Sequence, residues 1–237
     1  MTSFSRRDLL FLVLSGFFVT NAIVAELIGG KLIEMGPWIM SIGVIPWPVV
    51  FLTTDLINEY FGKAAVRRLT FMTVGMIIYA FVIVFSAMYV SAAKVSPVTD
   101  EQFNAVFGQS LWILAGSVTA FAVSQLVDVF VFWAFRKKTG GRMLWLRATG
   151  STAVSQLIDT VVILGIAFYL PGKLGTQDFF KLVGANYAYK FLIAVALTPF
   201  LYLLHHIIDR FLGKTEAERL IEEAAQASVS DSSSTTD

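Results

Sequence analysis

The 237 residues contain no cysteine, which excludes disulfides, thiolate metal sites and cysteine nucleophiles, and leaves the redox compartment unspecified. Charge is scarce as well: only 15% of residues are Asp, Glu, Lys or Arg, where a soluble domain carries about a quarter. Neither an HExxH metalloprotease helix nor a Gly-rich phosphate loop occurs, and Gly29-Gly30 and Gly140-Gly141 read as turn glycines. The chain therefore lacks the means to hydrolyse ATP, and an intramembrane enzyme finds no chemistry here. The two histidines, His205 and His206, are adjacent and point to different helix faces, which favours interfacial solvation over metal binding. No metal and no cofactor is expected. A net charge of +1 implies no nucleic-acid partner.

What the chain has is apolar length. Hydrophobic residues make up 56% of it and the mean hydropathy is +0.71. A spanning helix needs roughly 20 apolar residues, and six segments approach that: 9–29, 38–60, 69–91, 111–135, 148–170 and 187–212. The expected fold is all-α, a polytopic bundle of six transmembrane helices occupying residues 1–213. Residues 214–237 turn charged and then Ser/Thr-rich, and are expected to form a disordered cytoplasmic tail, with helix only around Glu216 to Ala225. With both termini on one side, thirteen of the eighteen Lys and Arg residues, including every arginine, fall on that side. By the positive-inside rule both termini are cytoplasmic. Ser5-Arg6-Arg7-Asp8 looks like a twin-arginine signal, yet five more apolar segments follow, so an uncleaved first helix is favoured. Trp38, Trp112, Trp133 and Trp145 sit near proposed helix ends, as rings seated at headgroup level would.

The most informative feature is a repeat. Ala122-Val123-Ser124-Gln125-Leu126-Val127-Asp128 recurs as Ala153-Val154-Ser155-Gln156-Leu157-Ile158-Asp159. On a helix Ser, Gln and Asp at this spacing share one face, and Ser151 extends the second stripe by a turn. Counted back from the basic segment between the two helices, the repeat residues lie about 12 to 18 Å deep and straddle the midplane of a roughly 30 Å hydrocarbon core. A short connection makes the helices antiparallel, so the copies relate by an approximate two-fold axis in the membrane plane, where secondary transporters commonly place their site. Ser124 and Ser155 serve equally well as interhelical glue. Asp128 and Asp159 favour function, because an ionised aspartate at midmembrane costs at least about 2.5 to 3.5 kcal/mol.

The second span adds Thr54, Asp55, Asn58 and Glu59. Asp55 lies at the depth of Asp128 and reads as functional, whereas Glu59 reads as an i,i+4 partner of Lys63. Pro46 and Pro48 imply a break in the outer half of this span. Asn21 and Glu26 lie on the first span, Glu26 and Lys190 are placed to pair across the bundle, and Pro199 is expected to kink the sixth span.

Taken in order, Asn21 to Ala25, Thr54 to Glu59 with Gly62 and Arg67, Gln125 with Asp128-Val129, Ser151-Thr152 through Gln156 with Asp159-Thr160, and Tyr187 through Lys190 resemble the queuosine-precursor transporter family, a group also described as vitamin-uptake proteins. The resemblance covers about residues 15–200. Glu26 departs from it, where lysine is expected in many relatives.

The resemblance implies import of 7-deazaguanine precursors of queuosine, such as the 7-cyano or 7-aminomethyl base, across a bacterial cytoplasmic membrane, by a stand-alone secondary carrier. The alternative it leaves is a substrate-binding subunit of an ATP-driven vitamin-uptake complex. The partners are then the deazapurine and the lipid bilayer, and a homo-oligomer is left open. The site expected on this basis comprises Gln125, Asp128, Gln156, Asp159, Asp55, Asn21, Tyr187 and Lys190, supported by Ser124, Ser151, Ser155, Asn58, Glu59 and Thr160. One of Asp128 and Asp159 would read the N–H edge of the base with Gln125 or Gln156 at O6 and an aromatic residue such as Tyr187 stacked on the ring, while the other aspartate carries a coupling proton.

Overall fold

A computed structural model describes residues 4–36, 38–108, 111–139 and 143–233. The helices are α1 (Arg6–Ile28), α2 (Trp47–Met88), α3 (Asp100–Phe107), α4 (Leu111–Thr139), α5 (Leu144–Leu164), α6 (Thr176–Leu212) and α7 (Lys214–Ser233). A short antiparallel hairpin, β1 (Leu32–Met35) and β2 (Trp38–Ser41), stands between α1 and α2. Five helical stretches among the described residues are long and apolar enough to cross a membrane. One of them, Ile42–Met88, takes in most of the second and third expected spans. The all-α polytopic fold stands.

Gly62 explains how two spans share one helix. Its φ of 82° and ψ of 175° interrupt α2, a conformation essentially reserved for glycine. A Cβ there would also stand 3.4 Å from the Ala224 carbonyl oxygen of α7. The sequence reading is corrected at the start of this helix. Residues 38–41 are strand and Ile42–Val44 is a single 3-10 turn, so helix begins only at Trp47. Pro46 is its N-cap and Pro48 lies in its first turn, where the missing amide donors leave no intrahelical bond unmade. The prolines start the helix instead of breaking it. Gly43 lets the hairpin end close on α1, since a Cβ at that position would sit 2.8 Å from the Ala25 carbonyl oxygen.

The fifth span continues past α5 as one π turn, Gly165–Tyr169, and α6 begins eleven residues ahead of its expected start because Asp178 and Lys181 lie on an exposed extension. Helix continues through Pro199. Phe18, Tyr60, Phe121 and Phe132 anchor the core where α1, α2 and α4 meet. Side chains such as Phe17, Phe130, Phe200 and Leu203 are exposed on the outer surface, as bilayer contact requires.

The expected disordered tail is also corrected. Lys214–Ser233 is a helix whose Ala217, Leu220 and Ala224 are buried against the bundle. The many charged and polar residues of this segment concealed an apolar stripe at helical spacing, which recovers enough buried surface to offset the ordering entropy. Its outer face carries Arg219 between Glu216 and Glu223. The Glu216 carboxyl is held below its usual range, chiefly by the hydrogen bond from Arg219. Residues 234–237, like Gly140 and Gly141, lie outside the described residues. Helix α7 covers the end of the bundle that holds Arg7, Arg136 and Arg147, hereafter the arginine end, opposite the hairpin end.

Candidate functional site

The repeat folds as a reciprocal pair. α4 and α5 make the most extensive helix–helix contact among the described residues. Ser155 donates from Oγ to Asp128 Oδ1 at 2.9 Å, and Ser124 donates to Asp159 Oδ1 at 3.4 Å. Each serine of one copy thus meets the aspartate of the other, which requires the helices to run antiparallel. Ser124, Gln125, Asp128, Ser155 and Gln156 are all buried, and Ser151 and Thr160 bond carbonyls of their own helix at Ala148 and Gln156. The two halves are not equivalent. Asp159 also accepts from Lys190 Nζ of α6 at 2.6 Å in a less buried setting, while Asp128 lies in the interior.

Helix α2 supplies the third wall. The Thr54 hydroxyl sits 3.2 Å from Gln125 Oε1, tying α2 to α4. Asn58 Oδ1 accepts from Trp133 Nε1 at 3.4 Å, so Trp133 is an interior ring and not a headgroup anchor. Trp112 and Trp145 are exposed, and Trp38 lies outside the described side chains. The Asp55 carboxylate is 5% exposed, and its Oδ1 has no hydrogen-bond partner among the described residues. Its strongest electrostatic neighbours are Asp128, Glu59 and Arg147.

Glu59 corrects a second expectation. Its partner is not Lys63 but two arginines: Arg147 Nη2 at 2.7 Å and Arg136 Nη1 at 3.3 Å, all three groups buried. Arg136 also donates to the Ile221 carbonyl of α7 at 3.0 Å and lies 4.7 Å over the Trp133 ring. A buried carboxylate with two guanidiniums is a rigid junction of α2, α4 and α5. In the sequence both arginines belong to the basic segment between the fourth and fifth spans, which is expected at the membrane surface. Arg147, Ser151, Ser155 and Asp159 nevertheless recur every four residues, and that stripe was the available signal. Nearby, Tyr60 donates to Asp209 at 2.7 Å and His205 lies 3.1 Å from the same carboxylate, joining α2 to α6.

The expected Glu26–Lys190 pair does not form, because Lys190 binds Asp159 and Glu26 accepts from Ser117 of α4. Asn21 donates to its own helix at Phe17, and the Tyr187 ring packs on Phe191 at 6.2 Å.

Two cavities flank α2. One, with about 20 Å³ of free space near the hairpin end, is lined by Trp47, Phe51, Gln156, Lys190 and Ile193 among others. The second, also with about 20 Å³ of free space and nearer the arginine end, is lined by Phe51, Asp55, Thr149, Thr152 and Thr198 against apolar neighbours. Of the expected binding residues, Asp55, Gln156 and Lys190 face these spaces, while Gln125, Asp128 and Asp159 form the layer behind them.

A helical membrane protein that buries paired carboxylates and cationic partners around small interior cavities has the build of a transport protein. The chain belongs to the family described as "Putative vitamin uptake transporter", whose model matches residues 41–204. It is 28% identical over 179 residues to the "Probable queuosine precursor transporter" of Bacillus subtilis (strain 168), covering 75% of this chain and 77% of that one. To the "Queuosine precursor transporter" of Escherichia coli (strain K12) it is 27% identical over 184 residues, 75% of this chain and 79% of the other. A "Probable queuosine precursor transporter" of Haemophilus influenzae is similar at 27% over 186 residues, 75% of this chain and 74% of the other. No solved structure matches the chain. The apolar helices and these bacterial relatives identify a multi-pass protein of the bacterial inner membrane.

Proposed function

We propose that the protein imports queuosine precursors, the 7-cyano- or 7-aminomethyl-7-deazaguanine base or a close relative, as a stand-alone secondary carrier and not as an enzyme. The arginine end and both termini face the cytosol in this reading, supported by the distribution of Lys and Arg. The observation that carries it is the serine–aspartate exchange between the two repeat copies, buried in a chain whose relatives over three quarters of its length bear that transporter name.

The residue chemistry suits such a base. Its pyrimidine edge offers N–H donors at N1 and the 2-amino group beside an O6 acceptor. Asp55 Oδ1, buried and without a hydrogen-bond partner among the described residues, accepts such donors, and the Thr152 hydroxyl, which lines the same space, serves the acceptor. Asp128 ties α4 to α5 and Gln125 ties α4 to α2 behind this site, and the Asp159–Lys190 pair guards the hairpin end.

The test is uptake of labelled 7-cyano-7-deazaguanine in cells that lack both its synthesis and their own carrier, with this chain as the only addition. Uptake that collapses with the proton gradient is the expected result. Accumulation that appears only when an ATPase partner is supplied would replace the stand-alone carrier with a subunit of an ATP-driven complex. Absence of uptake under both conditions would refute the substrate.

A further inference from the structure

The two cavities are ordered along three helices at once. On α2, Trp47, Phe51, Asp55 and Glu59 recur every four residues, so they form one stripe with about 6 Å between successive side chains. Trp47 lines the cavity of the hairpin end, Asp55 lines the other, and Glu59 closes the stripe on Arg136 and Arg147. Along α5 the order runs from Gln156 in the first cavity to Thr152 and Thr149 in the second. Along α6 it runs from Lys190 and Ile193 in the first to Thr198 and Leu201 in the second. Phe51 alone lines both. Its ring stacks on Trp47 at 5.8 Å and 19°, and Trp47 leans on Phe121 of α4 at 5.5 Å.

We infer that the passage runs between α2, α5 and α6 as two compartments partitioned by the Phe51 ring, and that the compartment toward the arginine end is the seat of the ligand. Its chemistry is that of a small planar heterocycle presenting N–H donors on one edge. Asp55 Oδ1 is the acceptor that no described protein group satisfies, the Thr149 and Thr198 hydroxyls bridge α5 to α6 at 2.9 Å across the same space, and apolar walls of Phe51, Leu52 and Leu197 suit the faces of a ring. Each compartment as it stands has about 20 Å³ of free space, room for little more than a water molecule, so a planar base enters this seat only as the helices part. An aromatic partition has a physical use. A packed ring seals a narrow passage without a desolvation penalty and swings by rotation about two side-chain bonds, whereas the Glu59–Arg136–Arg147 junction beyond the seat must break ion pairs to open. The inference rests on the carrier reading for the identity of the ligand alone.

Because the chain lacks cysteine, introduced thiols report without background. Thr152→Cys in the far compartment and Ile193→Cys in the near one are made in the full-length protein with Phe51 intact and with Phe51→Ala. Each is reconstituted in lipid nanodiscs and exposed to a polar thiol reagent, with labelling normalised to total thiol after denaturation. Ile193→Cys should label at one rate in both backgrounds. Thr152→Cys should label slowly behind Phe51, several-fold faster in Phe51→Ala, and slowly again when 7-aminomethyl-7-deazaguanine is added. Phe51→Leu, which keeps apolar bulk in the core, should give an intermediate rate, and it replaces Phe51→Ala if that variant does not purify. Equal labelling of Thr152→Cys with and without the Phe51 ring overturns the partition. Labelling that depends on Phe51 but ignores the deazaguanine upholds the two compartments and overturns the substrate reading of the preceding section.

Discussion

Replacing Glu59 by glutamine tests the buried junction at the arginine end. The carboxylate, 4% exposed, is shared by Arg147 Nη2 at 2.7 Å and Arg136 Nη1 at 3.3 Å. Removing its charge leaves two guanidiniums, 2% and 7% exposed, side by side without the anion between them. Breaking a buried ion pair from one side costs about 3 to 5 kcal/mol. An independent route gives the same size: one unit pair near 4 Å at an effective dielectric of 20 is worth about 4 kcal/mol. The Ile221 carbonyl still accepts from Arg136 and Arg147 still senses Asp55, so the lower half of that range applies. About 3 kcal/mol is roughly a hundredfold in the folding equilibrium. The assay is reversible unfolding of the purified protein in mixed detergent and SDS, run as a double-mutant cycle with Arg147→Met. Glu59→Gln alone should be more destabilised than Glu59→Gln combined with Arg147→Met, because the second change removes one of two adjacent buried cations. A loss below about 1 kcal/mol for Glu59→Gln, with additive effects in the cycle, would show that the junction is solvated and that the energetic argument fails.

Asp55→Asn separates stability from function: with no described protein partner on Oδ1, thermal stability should hold or rise, while uptake of labelled deazaguanine falls about ten- to hundredfold, the value of one charged hydrogen bond. A variant that transports at the original rate would remove Asp55 from the seat. Lys190→Met should impair uptake more than Lys190→Met with Asp159→Asn, since the double change removes the stranded carboxylate along with its 2.6 Å partner; equal defects would show that the pair is not coupled. Gly62→Ala forces a side chain into a glycine-only conformation against Ala224 of α7, and should lower unfolding stability by about 1 to 3 kcal/mol, whereas Gly75→Ala, with open space around it, should not. Leu220→Ser, at a position 1% exposed, should cost at least about 2 kcal/mol if α7 belongs to the folded core, and nothing measurable if it is a tail.

How much of this was legible in the chain depended on the range of the interaction. Apolar length places the membrane-crossing helices, because every backbone polar group in lipid must be satisfied within a helix, whereas the hairpin, α3 and α7 lie outside its reach. The repeat around Asp128 and Asp159, identical but for Val127 against Ile158, implied antiparallel helices with matched polar faces, while the bond from each serine to the aspartate of the other copy emerged only in the packing.

Three features needed the tertiary structure. Glu59 had a plausible partner four residues away in Lys63, and two arginines nearly eighty residues or more downstream won because burial strengthens their attraction while Lys63 stays near solvent. The polar residues from Lys214 onward hid an apolar stripe that matters only when the bundle offers a matching surface at Gly62 and Arg136. Phe51 and Thr198 look like ordinary bilayer residues, and only the packing of α2 against α5 and α6 turns them toward an interior space. The sequence by itself determined a multi-pass helical protein with matched acids at mid-depth; which acids are locked in pairs and which one faces a cavity was decided by the packing of helices distant in the chain, since desolvation and ion pairing depend on neighbours that local spacing does not name.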